Sequence, residues 1–171
     1  MEEIIEDFTV GSESCQRGGK NKIPFCCVQV VPGNLEIDED KLKKDDLEIT
    51  FTPKLECCVT RDVVICSIGG TTCEIEANVM RLVGCIEYAL STLDNSDPIS
   101  GQCGNEAVAA CCSSTVCVNQ AVLCSLEEIE CPENMSPCQI KAKLNDAVVE
   151  ECEDKKIIKF TGKFIICTGP C

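Results

Sequence analysis

Apolar and polar residues alternate in short runs along most of the chain, and the runs stop at turn signals. In LEITFT, Leu47, Ile49 and Phe51 share one face while Glu48, Thr50 and Thr52 share the other. That two-residue period belongs to a half-buried strand. Ile140, Ala142 and Leu144 alternate with Lys141 and Lys143, and Ile158, Phe160, Phe164 and Ile166 alternate with Lys159, Thr161, Lys163 and Ile165. Phe25–Val31 (FCCVQVV) ends at Pro32-Gly33-Asn34, a turn signal. Pro53 is expected to stop the LEITFT run, after which Leu55–Ile68 forms a second β-branched run closed by Gly69-Gly70. Thr72–Leu90 has a helix as its alternative, yet Cys73, Ile75, Ala77 and Val79 alternate strictly with Glu74, Glu76 and Asn78. Its apolar face then changes parity near Met80–Leu82, which predicts a bulge or a strand crossing between sheets. Val108–Val118 and Gln120–Glu130 follow as further segments, and Pro132 and Pro137 bracket a short turn. The sum is about eight or nine strands spaced by turns, an all-β fold of the antiparallel β-sandwich or jelly-roll kind.

Two stretches depart from this pattern. Met1–Lys22 reads as a flexible N-terminal arm, with Ile4, Phe8 and Val10 on one strand face and GSESCQRGGKNK as a linker carrying Cys15. Residues 23–171 then form a single β-sandwich domain. Glu36–Asp46 is a charged excursion that lacks the spacing of a calcium loop and reads as solvated.

Composition narrows the function. The chain is 44% hydrophobic but has five Phe, one Tyr and no Trp, so its core is expected to be built from small aliphatic side chains and cysteine. The net charge is −14, which argues against nucleic acid and anionic membrane surfaces as partners. No apolar run approaches the ~20 residues of a membrane-spanning helix. With no histidine anywhere, Ser-His-Asp and Cys-His machinery is excluded, and no catalytic residue, cofactor or metal site is expected.

Eighteen cysteines in 171 residues is disulfide-scaffold density. No C-x-x-C occurs, so neither zinc nor thioredoxin-like chemistry is indicated. Cys26-Cys27, Cys57-Cys58 and Cys111-Cys112 are vicinal pairs in strand-like runs. Neighbours in a strand point to opposite faces, so one thiol of each pair should face the core and bridge within the domain. The other faces out and is either free, paired to a loop cysteine, or bonded to another chain. Cys15 in the arm and Cys171 at the last residue are placed to reach another subunit, the alternative being a bridge to their own domain. The seven-residue spacing of Cys117, Cys124, Cys131 and Cys138 is read as coincidence, because prolines interrupt any helix there.

The start MEEIIEDFTV has no basic n-region or apolar run, so no export leader is expected. High cysteine, a β-rich pattern, vicinal pairs and no leader together resemble the Cys-rich coat, exosporium and appendage proteins of endospore-forming bacteria. IPFCCVQVVPG followed by KKDDLEITFT is similar to the β-rich domain of spore-coat-associated proteins. The resemblance implies a structural, non-enzymatic subunit that assembles with itself, and with other spore surface proteins, into a disulfide-cross-linked extracellular fibre or layer, oxidised after release. It also implies an arm that engages a neighbouring subunit, with Cys15 matching the arm's thiol. The alternative is a secreted, monomeric, disulfide-stabilised β-domain acting as an adhesin or other binding module.

Overall fold

The computed structural model describes residues 7–10, 13–16, 20–42, 47–68, 71–92, 98–100, 107–108, 110–132 and 140–167. It is built of eleven strands among the described residues, with one 3-10 turn at Glu39–Leu42. In chain order these are β1 (Asp7–Val10), β2 (Glu13–Gln16), β3 (Lys20–Pro32), β4 (Glu36–Ile37), β5 (Leu47–Ile68), β6 (Thr71–Thr92), β7 (Ile99–Ser100), β8 (Ala107–Val108), β9 (Cys111–Ser125), β10 (Ile140–Cys152) and β11 (Lys155–Cys167). The all-β, antiparallel class expected from the alternation is what the chain adopts.

Three antiparallel sheets result. The large sheet has the order β2-β1-β5-β6-β9, the second β10-β11-β3, and a small third one β4-β7-β8. The frame is the β5–β6 hairpin, whose strands have 22 residues each and keep one register from Leu47↔Thr92 to Ile68↔Thr71. Pro53 does not stop β5. It lies where the other edge of β5 carries no strand among the described residues, because β1 pairs only near Ile65 and Cys66. A proline that cannot donate is tolerated on such an edge. Pro24 and Pro32 sit in β3, likewise an edge strand. The segments read on either side of Asn119 are one strand, β9.

The second sheet packs on one face of the proximal half of the hairpin. Phe164, fully buried, lies 5.0 Å from the ring of Phe25 and 5.5 Å from those of Phe51 and Tyr88. Ile86, Leu90, Ile158 and Phe160 fill the space around them. The charged excursion is partly anchored, since Leu42 is buried in this same core.

Beyond Met80 the buried face reverses. In the proximal half the even residues Leu82, Ile86, Tyr88 and Leu90 of β6 are buried. In the distal half it is the odd residues Ala77 and Val79, together with Val64, Ala121 and Cys124, that form a second cluster. The β5–β6 register has no shift, so the two cores lie on opposite faces of one continuous hairpin. The parity change read at Met80–Leu82 is this reversal of the buried face, and β6 stays in the large sheet throughout rather than crossing to another. A bulge accompanies it on β9: Met80 pairs with Leu123 and Arg81 with Ala121, leaving Val122 extra. The large sheet curls distally, bringing its first strand β2 against its last, β9. On the other distal face Val59, Val63 and Ile65 are exposed.

Candidate functional site: thiols on two opposite faces

The alternation that builds β3 decides what each of its cysteines does. Ile23, Phe25 and Cys27 are buried while Lys22, Pro24, Cys26 and Val28 are exposed. Cys27 therefore points into the sandwich and bonds Cys112 of β9, with Cα atoms 6.2 Å apart. This joins the two large layers. Gln29 adds a polar tie beside it, its Oε1 accepting from the Cys111 backbone N–H at 2.9 Å. In β5, Cys57 packs against the main core and bonds Cys131, just past β9, with Cα atoms 5.7 Å apart. Each vicinal pair thus places one member in an in-chain bridge.

The other members carry free thiols. Cys26 and Cys111 are exposed, and Cys58 is half-buried opposite Arg81. Cys26 leaves the outer face of the second sheet, and Cys111 leaves the outer face of the large sheet. Further free thiols are Cys85, Cys117 and Cys152, of which the sequence reading named Cys117 only within the seven-residue series. Cys85 and Cys117 lie directly opposite each other on β6 and β9, and Cys152 is exposed where β10 turns into β11. Only the register brings Cys85 and Cys117 together, and no local motif announces it. Cys131 was legible only as a member of the seven-residue series.

The remaining candidates lie toward the ends. Cys15 is in β2, with its backbone opposite Phe8 of β1, and Val10 is opposite Glu13. Phe8 is in turn opposite Cys66 of this chain's own β5. Ile4 and Cys171 lie outside the described residues.

The two outer faces differ in charge. On the second sheet, Lys143 is opposite Lys163, Ile165 lies between Lys141 and Lys22, and Lys159 lies between Val148 and Val28. No carboxylate pairs with any of these five lysines among the described residues. Val28, Val30 and Val148 are 49%, 56% and 44% exposed beside them, an apolar strip next to Cys26. The proximal outer face of the large sheet is small and hydroxylated, with exposed Thr50, Thr52, Ser91, Ser113 and Thr115, and it carries Glu48, Glu56 and Glu87. Lys54 donates to Glu87 at 2.8 Å, and that hydrogen bond holds its ammonium above the usual lysine pKa. Tyr88 sits under Cys26, its hydroxyl donating to the Cys26 carbonyl at 3.3 Å. Burial raises the pKa of this phenol, and a hydrogen bond with Ser114 opposes the rise.

No group of three or more metal-ligating side chains occurs among the described residues. The groove beside Pro53–Glu56 and Gly84 holds Lys54 and Glu56 as its titratable groups, and the groove between Leu47, Phe51 and Leu144 holds Lys143. Among the described residues no helix is long and apolar enough to cross a membrane.

Residues 19–166 match the family model described as CryBP1 protein. No curated protein and no solved structure matches the chain. The match spans most of the chain, and the protein belongs to the CryBP1 family.

Proposed function

We propose that this CryBP1-family protein is a non-catalytic structural subunit that assembles with itself into a disulfide-cross-linked extracellular polymer on the spore surface. The observation that carries this reading is the division of labour within the vicinal pairs. Cys27, Cys57 and Cys112 are bonded within the chain, while Cys26, Cys58 and Cys111 are left with free thiols. Stapling one domain needs only the inner members. Thiols left exposed in an oxidising setting bond to whatever thiol comes near, and at high local concentration that is another subunit. The net charge of −14 keeps subunits apart until specific contacts form.

The arm has a place in this reading as well. The edge of β5 from Leu47 to about Val64 has no partner strand among the described residues, and such an edge accepts an added strand. A neighbour's Ile4–Val10 would pair there only by exchange, its β1 leaving β2 and β5 of its own chain, with Cys15 and Cys171 as further inter-subunit thiols and other spore surface proteins as additional partners.

The test is disassembly of native material. In hot detergent without reductant the polymer should stay at the top of a gel, and with dithiothreitol it should run as an 18.5 kDa chain. A polymer that dissolves equally in both conditions is held without covalent bonds and ends the proposal.

A further inference from the structure

Cys26 and Cys27 are adjacent on β3, and Cys111 and Cys112 are adjacent on β9. Cys27 and Cys112 are joined through the core. The outward members therefore emerge on opposite faces of the sandwich, at the two ends of one short covalent path. That path runs from the Cys26 thiol through one peptide bond, the internal bridge and a second peptide bond to the Cys111 thiol.

We propose that the outer face of the second sheet of one copy docks on the outer face of the large sheet of the next, and that Cys26 of the first bonds Cys111 of the second. The inference rests on the assembly reading above and names the faces and thiols that carry it. The occupant is a second copy because the two faces complement each other. On one face Lys22, Lys141, Lys143, Lys159 and Lys163 outnumber Asp146 and Glu150, and on the other Glu48, Glu56 and Glu87 outnumber Lys54, which pairs with Glu87. The exposed valines next to Cys26 meet a surface of Ser, Thr and Ala, whose short side chains let sheets approach closely. The two faces are different, so the contact is heterologous and repeats without closing. Every subunit then adds one external and one internal disulfide to a continuous covalent spine.

The bond forms by exchange with a low-molecular-weight disulfide such as oxidised glutathione. The Cys111 thiolate attacks it and releases one glutathione thiolate. The Cys26 thiolate of the neighbour then attacks the mixed disulfide and releases the second. One S–S bond is made and one broken, and the two cysteine protons end on the two glutathiones.

The experiment mixes heavy-isotope Cys111→Ser protein with light Cys26→Ser protein in a glutathione redox buffer. Products are acid-quenched, alkylated, digested without reduction and assigned by fragmentation. Internal bridges give heavy–heavy and light–light pairs. The proposed bond gives a heavy Cys26 peptide joined to a light Cys111 peptide, absent when both partners carry Cys111→Ser. Both positions are exposed, so each variant should keep the urea midpoint of the parent, which checks folding. In the parent background, Lys159→Glu with Lys163→Glu should slow cross-linking at low salt roughly fivefold, with the difference shrinking at high salt. Heavy–light pairs through other cysteines but not through this couple overturn the inference and leave the assembly reading standing. No heavy–light pair of any kind, with a parent protein that stays monomeric, overturns both.

Discussion

At Gly84 the backbone takes φ +141°, and a Cβ there would collide with the Lys54 carbonyl oxygen of β5. The residue lies in the proximal half of the hairpin, opposite Leu55, where β5 and β6 must stay in register. Gly84→Ala combines a disfavoured dihedral with overpacking against main chain that cannot move aside. A loss of about 2–4 kcal/mol is expected, read as a lower urea midpoint, and an unchanged midpoint would refute this account of the glycine. Tyr88 makes a different kind of prediction. Its folded pKa lies above the ordinary tyrosine value because the ring is buried. The folded state therefore holds the phenolic proton to higher pH than the unfolded chain. That share of stability is complete below pH ~10 and is lost as pH rises through the folded value. With free thiols alkylated beforehand, the parent should lose stability more steeply than Tyr88→Phe above that pH. Parallel curves would show that this phenol does not contribute.

Among the elements, the strands and the division of each cysteine pair into one inner and one outer member were legible before any fold was known, because both follow from the same two-residue period. Which member is which, Cys26 out and Cys27 in, is settled by the face of β3 that the second sheet buries. The reversal of the buried face at Met80–Leu82 was legible for the same reason. The partners were not legible: that Cys27 bonds Cys112, 85 residues away, and Cys57 bonds Cys131 depends on how separate sheets pack. The run through Pro53 was missed because a proline's tolerance depends on whether its edge is paired, which is a property of the sheet. These roles give opposite expectations for paired substitutions. Cys27→Ser with Cys112→Ser frees a loop of 85 residues and should cost about 2–5 kcal/mol. Cys26→Ser with Cys111→Ser should stay within about 0.5 kcal/mol of the parent. Denaturant unfolding without reductant measures both, and equal losses would mean that inner and outer thiols do the same structural work.

For the whole molecule, the direction in which subunits add decides what an assembled specimen looks like. Edge-to-edge addition at β5 would continue the hydrogen-bonded ladder, and strands would recur every ~4.8 Å along the growth axis. Face-to-face addition through Cys26 and Cys111 sets the growth axis along the sheet normal instead. Packed sheets lie ~10 Å apart, and each copy contributes two layers to the stack, so the subunit repeat should be roughly twice that spacing, about 20 Å. The covalent spine then runs along the axis of tension, since it crosses each sandwich through the Cys27–Cys112 bridge. Aligned specimens should show an axial spacing near 10 Å with a subunit repeat near 20 Å by fibre diffraction or helical reconstruction, and the ~4.8 Å spacing should lie across the axis. An axial ~4.8 Å spacing would place growth on the strand edges. In that geometry Cys26 and Cys111 of successive copies face sideways, and the disulfides that hold the polymer must come from the arm.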